Sequence, residues 1–258
     1  MPIKVAIEAA RIGGKVLMEL FATNLRVAHK GEVDLVTEAD QAAEAAIVAL
    51  IRSRFPAHDI LAEEADYDRQ QQEFCWIIDP LDGTTNYAHG FPWFAVSIAL
   101  EQNKEVVTGV VFNPCNGELF SAVKGEGACL NGKPIAVSTT TDLDQSLLAT
   151  GFPYDRKQSR ANNYDHFVHF QQAAQACRRP GAASLDLACT AAGRFDGYWE
   201  MKLKPWDVAA GQLLVSEAGG VLTDFIGSPF SVYGQEVVAS NGLIHEQMLS
   251  VLAKGKRP

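Results

Sequence analysis

Residues 76–86 read Trp76-Ile77-Ile78-Asp79-Pro80-Leu81-Asp82-Gly83-Thr84-Thr85-Asn86. A hydrophobic strand runs directly into two aspartates three positions apart, and a glycine and two threonines then open a helix. Pro80 biases Asp79 toward an extended conformation and stiffens the exit from the strand. Both carboxylates can then face one side of the turn, with the Leu81 carbonyl between them as a further oxygen. Gly83 admits close approach of the backbone to a ligand. The N–H groups of Thr84 and Thr85 lack intrahelical partners, and a helix dipole favours an anion there. The stretch suits a hard cation held against a phosphate, because oxygen-only ligation favours Mg²⁺, Mn²⁺ or Ca²⁺ over Zn²⁺. Read alone, Asp79 and Asp82 serve equally well as turn and cap residues with no ligand.

Upstream, residues 3–21 carry apolar side chains at near-helical spacing, with Gly13-Gly14 weakening the middle. A second helix is expected from about Glu38 to Arg54, with Pro56 just past its end. Ile60 to Ala62 and Phe74 to Asp79 read as strands, separated by a polar segment from Asp66 to Glu73. Downstream, residues 93–137 read as a β meander. Its strands are Phe94 to Leu100, Glu105 to Phe112 and Glu118 to Val123, and Asn113-Pro114, Asn116-Gly117 and Asn131-Gly132 are turn formers. After Val137 the rhythm becomes helix and short strand. Helices are expected near 162–176, 184–193, 206–218 and 243–253, and strands near 147–150, 196–199, 220–224 and 236–239. The change at 138–145 divides the chain into an α+β half, 1–140, and an α/β half, 141–258.

Other acids stand at the ends of such elements. Glu63-Glu64 follows an apolar strand, Asp207 follows Pro205-Trp206 at a helix start, and Thr37-x-x-Asp40 has the form of a capping box with Asp in place of Glu. Singly, each has a plain structural reading as a solvated or capping residue. Gly127 to Lys133 approximates a phosphate-binding loop, but Pro134 stands where Ser or Thr is needed, so it reads as a hairpin.

Together these motifs resemble the inositol monophosphatase family of metal-dependent, lithium-sensitive phosphatases. The resemblance spans nearly the whole chain in the right order: Asp34 to Asp40, Ala62-Glu63-Glu64, Trp76 to Asn86, Gly125-Glu126-Gly127-Ala128, Leu130-Asn131-Gly132, Trp206-Asp207-Val208-Ala209-Ala210-Gly211 and Glu217-Ala218-Gly219-Gly220. It implies a layered αβαβα sandwich of the inositol monophosphatase/fructose-1,6-bisphosphatase type, an α/β (α+β) fold that is usually dimeric. It also implies Mg²⁺-dependent hydrolysis of inositol monophosphate to myo-inositol and phosphate by a metal-activated water. By matched position, Glu63, Asp79 and the Leu81 carbonyl hold one ion, and Asp79, Asp82 and Asp207 a second. A third, looser ion sits on Glu63 through water, giving two or three Mg²⁺ per site. Thr84, linked to Asp40, orients the water, so Thr84, Asp40 and Glu63 are the expected catalytic residues. Lys30 and Glu64 stand at the entrance. Gly83, Thr84, Gly181, Ala183, Glu200 and Asp207 meet the substrate, Glu200 by accepting from polyol hydroxyls rather than standing as a surface strand residue.

Relatives of the same fold take fructose 1,6-bisphosphate, histidinol phosphate or 3′-phosphonucleotides, and these are the alternatives. A non-catalytic interaction protein that kept the fold is the alternative of another class. The chain of 258 residues is 47% hydrophobic with net charge −9. That balance argues against a nucleic-acid partner and leaves the positive field to a metal or a local dipole. Five cysteines without a C-x-x-C spacing suit a reducing cytoplasm, and no apolar run reaches membrane-spanning length.

Overall fold

The computed structural model describes residues 1–21, 27–29 and 35–255. Helix α1 (Pro2–Leu20) buries Ala6, Ala9, Ala10, Gly13, Gly14 and Leu17, a stripe of mostly small residues. The two glycines are a packing seam. A Cβ on Gly13 would come 2.7 Å from Ile47 Cδ1, and one on Gly14 would come 2.6 Å from a Phe112 ring carbon. Close approach of α1 to its neighbours thus outweighs the helix propensity lost at two glycines. The backbones of β1 (Val27–His29) and β2 (Leu35–Thr37) pair antiparallel before α2 (Glu38–Arg54).

A seven-stranded sheet follows: β3 (Asp59–Ala62), β4 (Phe74–Asp82), β5 (Ala95–Gln102), β6 (Glu105–Asn113), β7 (Glu118–Val123), β8 (Gly127–Leu130) and β9 (Lys133–Pro134), side by side in chain order. Its pairings are antiparallel except β3 with β4. Asn131 and Gly132, both at positive φ, make the β8–β9 hairpin turn. The short helix α3 (Thr84–Ala88) leaves the end of β4.

The second sheet comprises β10 (Leu147–Thr150), β11 (Ala176–Arg178), β12 (Gly197–Met201), β13 (Val221–Thr223) and β14 (Glu236–Ser240), in the order β11-β10-β12-β14-β13. Four helices accompany it: α4 (Tyr164–Ala173), α5 (Ala183–Ala191), α6 (Pro205–Glu217) and α7 (His245–Leu252).

Three apolar cores define five layers. Ile47 and Ile51 of α2 pack with Trp76, Ile78 and Val110 on one face of the first sheet. Leu187 of α5 and Leu214 of α6 lie between the sheets, against Ile77, Val111 and Phe120 on one side and Tyr198 and Ala239 on the other. Phe170 of α4 and Met248 of α7 cover the outer face at Trp199 and Val238. Ile77 and Ile78 enter different cores, as do Tyr198 and Trp199, because successive strand side chains point to opposite faces. All nine residues of α5 are buried, so this helix shows no polar stripe in its sequence.

Three expectations are corrected. Strand β4 continues to Asp82 instead of ending at Asp79, with a register shift between them; Pro80 lacks an N–H and is accommodated at that irregularity. Helix α6 starts at Pro205, so Asp207 is its third residue and not its cap. Strands β1, β2 and β11 have no counterpart in the sequence reading; three residues carry too little periodicity to read.

Candidate active site

The register shift in β4 decides where the first carboxylates point. Asp79 pairs with Ser97 and Asp82 with Ala95, so three steps on β4 answer two on β5. Such an irregularity re-aims side chains, and both aspartates line the same cavity. Asp79 is buried and its Oδ1 accepts the Leu81 N–H at 3.0 Å. The Leu81 carbonyl accepts the Thr84 hydroxyl at 3.1 Å, which leaves a second lone pair on that carbonyl. Gly83, at φ +95, turns the chain from β4 into α3; a side chain there would be strained and would crowd the Trp93 carbonyl at 3.0 Å.

Other elements bring the remaining acids. Asp82 is gripped by the start of α5: the Ser184 N–H donates to Oδ2 at 2.7 Å, the Ser184 hydroxyl to the same oxygen at 2.6 Å, and the Ala183 N–H to Oδ1 at 3.3 Å. Asp207 accepts the Lys204 N–H at 2.7 Å, closing the first turn of α6 while lining the cavity. Glu63 and Glu64 follow β3, and the Glu64 N–H donates to Glu44 of α2 at 2.8 Å. Asp40 is buried on the first turn of α2.

The cavity measures about 510 Å³. Glu63, Glu64, Asp79, Asp82 and Asp207 make its acidic floor, and Phe152, Tyr154, Leu203 and Trp206 make an apolar wall. It continues into a hollow of about 100 Å³ that shares Asp82, Thr84, Glu200 and Asp207 and adds Arg179, Gly181 and Ala183. Glu200, on β12, is buried and accepts the Tyr198 hydroxyl at 2.5 Å, which removes the surface-residue reading. A larger, shallower hollow of about 1050 Å³ lies at the other end of β4. Its buried acids are already engaged: Asp59 by the Gln70 and Gln72 N–H groups, Glu101 by the Tyr233 hydroxyl.

The acids of the main cavity bind their protons more tightly than usual. Burial lifts Asp79 well above the usual carboxylate range, and the neighbouring charges of Glu63, Asp82, Asp207 and Asp40 add to it. Burial, then Asp82 and Glu63, do the same to Asp207. Burial raises Asp82 to about 6 against the opposing hydrogen bonds of Ser184, Ala183 and Leu185. Burial raises Glu200 to about 7, opposed by the Tyr198 hydroxyl and Arg179. Several carboxylates that repel one another at one spot accept a cation readily.

The donor set is carboxylate, carbonyl and hydroxyl oxygen, which fits a hard divalent cation and not a thiophilic one. Among the described residues, no group of three or more His, Cys, Asp and Glu side chains is placed so that it could hold a metal ion. The carboxylates instead hold backbone N–H donors, Asp79 within its own turn and Asp207 within its own helix.

Every expected site residue from Asp40 onward is described. Glu63, Glu64, Asp79, Leu81, Asp82, Gly83, Thr84, Glu200 and Asp207 line the main cavity, and Gly181 and Ala183 line its extension. Lys30 and Asp34 lie outside the described residues. Sequence reasoning missed Ser184, which holds Asp82, and Asn86, whose side-chain amide donates to the carbonyls of Trp93 at 2.8 Å and Pro180 at 2.9 Å. It also missed Arg179 at the rim. A Ser in the first turn of a helix carries an ordinary capping signal, so nothing local marked Ser184 as a partner of Asp82.

The family model described as the inositol monophosphatase family matches residues 2–256. The inositol-1-monophosphatase of Synechocystis sp. is 46% identical over 253 residues, 97% of this chain and 88% of that protein. Nus factor SuhB of Escherichia coli is 44% identical over 253 residues, 96% of this chain and 94% of that protein. Among solved structures, the inositol monophosphatase from Anabaena superposes with a TM-score of 0.90 at 43% identity, covering 98% of this chain and 96% of that one.

Proposed function

The chain belongs to the inositol monophosphatase family of metal-dependent phosphoric monoester hydrolases, and from that premise we propose that it hydrolyses inositol monophosphate to myo-inositol and phosphate with Mg²⁺. The observation that carries the reading is one cavity lined by Glu63, Asp79, Asp82 and Asp207 from separate segments and extended by the buried Glu200.

Glu63, Asp79 and the Leu81 carbonyl would hold one Mg²⁺, Asp79, Asp82 and Asp207 a second, and Glu63 a looser third. Bound cations would lower the proton affinity of the attacking water and offset charge on the transferring phosphoryl group. The protein's own groups do the positioning. Thr84, whose hydroxyl donates to the Leu81 carbonyl in this structure, and the buried Asp40 would orient the water. Gly83 and Thr84 bring backbone N–H groups toward the phosphate. Ser184 keeps Asp82 aimed into the cleft, and Asn86 pins the 180–181 loop beside it. Gly181 and Ala183 present a small-residue floor to the polyol ring, and Glu200 accepts from its hydroxyls. A carboxylate there also repels a second phosphate, which disfavours fructose 1,6-bisphosphate.

The retained acids favour an enzyme over a non-catalytic interaction protein. Tyr164 and Val168, exposed one turn apart on α4, offer apolar area for a homodimer contact. Five free cysteines accord with a cytoplasmic setting. Among the described residues, no helix is long and apolar enough to cross a membrane.

The test is a panel of phosphate esters with Mg²⁺ and with chelator. Myo-inositol 1-phosphate should show the highest kcat/KM and lose turnover on chelation. A far higher value for fructose 1,6-bisphosphate, histidinol phosphate or a 3′-phosphonucleotide would replace the substrate assignment.

A further inference from the structure

We propose that Gly151 is a specificity-positioning residue: the absence of its side chain creates the space in which the Glu200 carboxylate faces a polyol substrate. The proposal rests on the reading of Glu200 as the acid that meets substrate hydroxyls.

Gly151 directly follows β10, which pairs in parallel with β12 so that Thr150 lies opposite Trp199. The next step along both strands sets Gly151 beside Glu200, and both line the hollow that extends the cleft. A Cβ built on Gly151 would fall far inside van der Waals contact with Cδ and both oxygens of the Glu200 carboxyl. One of the two must give way, and the surroundings decide which. The Gly151 carbonyl accepts the Asn163 amide at 2.6 Å. The same amide donates to the Thr150 hydroxyl at 2.9 Å, that hydroxyl donates to the Trp199 carbonyl at 2.6 Å, and Trp199 Nε1 donates to Asn163 Oδ1 at 2.9 Å. This buried network ties the Gly151 backbone to β12, so the backbone cannot retreat. Among the described residues the Glu200 side chain accepts one hydrogen bond, from the Tyr198 hydroxyl, and its end can rotate.

Gly151 does not have positive φ, so alanine is compatible with its backbone. Gly151→Ala should therefore fold and displace Glu200 from the cleft wall. The effect should fall on recognition of the polyol more than on the chemical step.

The experiment compares kcat and KM for myo-inositol 1-phosphate and glycerol 2-phosphate in wild type, Gly151→Ala, Glu200→Ala and the double variant, all with Mg²⁺. Gly151→Ala should reduce discrimination between the two esters about tenfold, carried by a raised KM for the inositol ester. Its melting temperature should stay within a few degrees of wild type. In the Glu200→Ala background the same substitution should add nothing further, since the two act through one carboxylate. A purely structural role would move both esters alike and would persist in that background. Unchanged discrimination in Gly151→Ala, or an undiminished effect in the double variant, overturns the proposal. If Glu200→Ala itself leaves discrimination intact, the reading of Glu200 fails first and the proposal falls with it.

Discussion

Asp82 shows how one residue is prepared for its task. Three donors from the start of α5 orient its two oxygens, and burial works against their effect on its charge. Ser184→Ala removes the 2.6 Å hydroxyl bond without touching the cleft. Outer partners of this kind typically change metal affinity 10–100-fold, so the Mg²⁺ concentration for half-maximal activity should rise by about that factor. Asp82→Asn or Asp207→Asn should give folded protein with turnover lowered by orders of magnitude, since each removes a proposed ion-holding charge; near-normal kcat/KM in either would contradict those roles. Glu200 and Asp82 also make a pH prediction. Their ordinary values are 4.5 and 3.8, and the fold raises them to about 7 and about 6. A carboxylic acid with a raised pKa binds its proton more tightly folded than unfolded, so its stabilising effect is complete below the lower value and lost as pH rises through the higher. The melting temperature of chelator-treated protein should fall between about pH 4 and pH 7. Glu200→Gln, which cannot ionise, should flatten the upper part of that fall.

At the scale of elements, helix α1 is positioned by absent side chains. Gly14→Ala gains about 1 kcal/mol in helix propensity but drives a methyl into the Phe112 ring. Overpacking of this kind costs about 1–3 kcal/mol, so the net change should be destabilising, and urea denaturation reads it directly. Legibility followed periodicity here. The span of α2 and the bounds of β7 and β10 agree with the sequence reading, because each has a clear period and a clear stop. The end of β4 was misread because Asp-Pro-Leu-Asp-Gly has turn composition, while pairing to β5 carries the strand through it. The α6 start was misread for a related reason. Asp207 does bond the N–H of Lys204, but from the third helical position, an arrangement a cap pattern alone does not separate from the cap itself.

The whole molecule is a stack in which α5 and α6 share a core with both sheets, so the cleft between them depends on the entire sandwich. Cation binding should consequently stabilise the fold globally. At Mg²⁺ near 100 times its dissociation constant the gain is about 2.7 kcal/mol. For a chain of this size that corresponds to a melting temperature higher by about 5–10 °C. Calorimetry with and without chelator measures it, and Asp82→Asn should lose much of the increment.

By itself the order of amino acids determined most of the longer elements, the hard-oxygen character of the donors and their places near strand and helix ends, because these depend on neighbours a few positions away. Motif order along the chain was enough to point to the family and its layered sandwich. Only the tertiary structure decided which acids share a cavity, that Glu200 is buried, and that Ser184 reaches Asp82 across 102 positions of chain. Such encounters are set by the stacking of whole layers, where burial and a nearby charge act through space, and no local pattern encodes them.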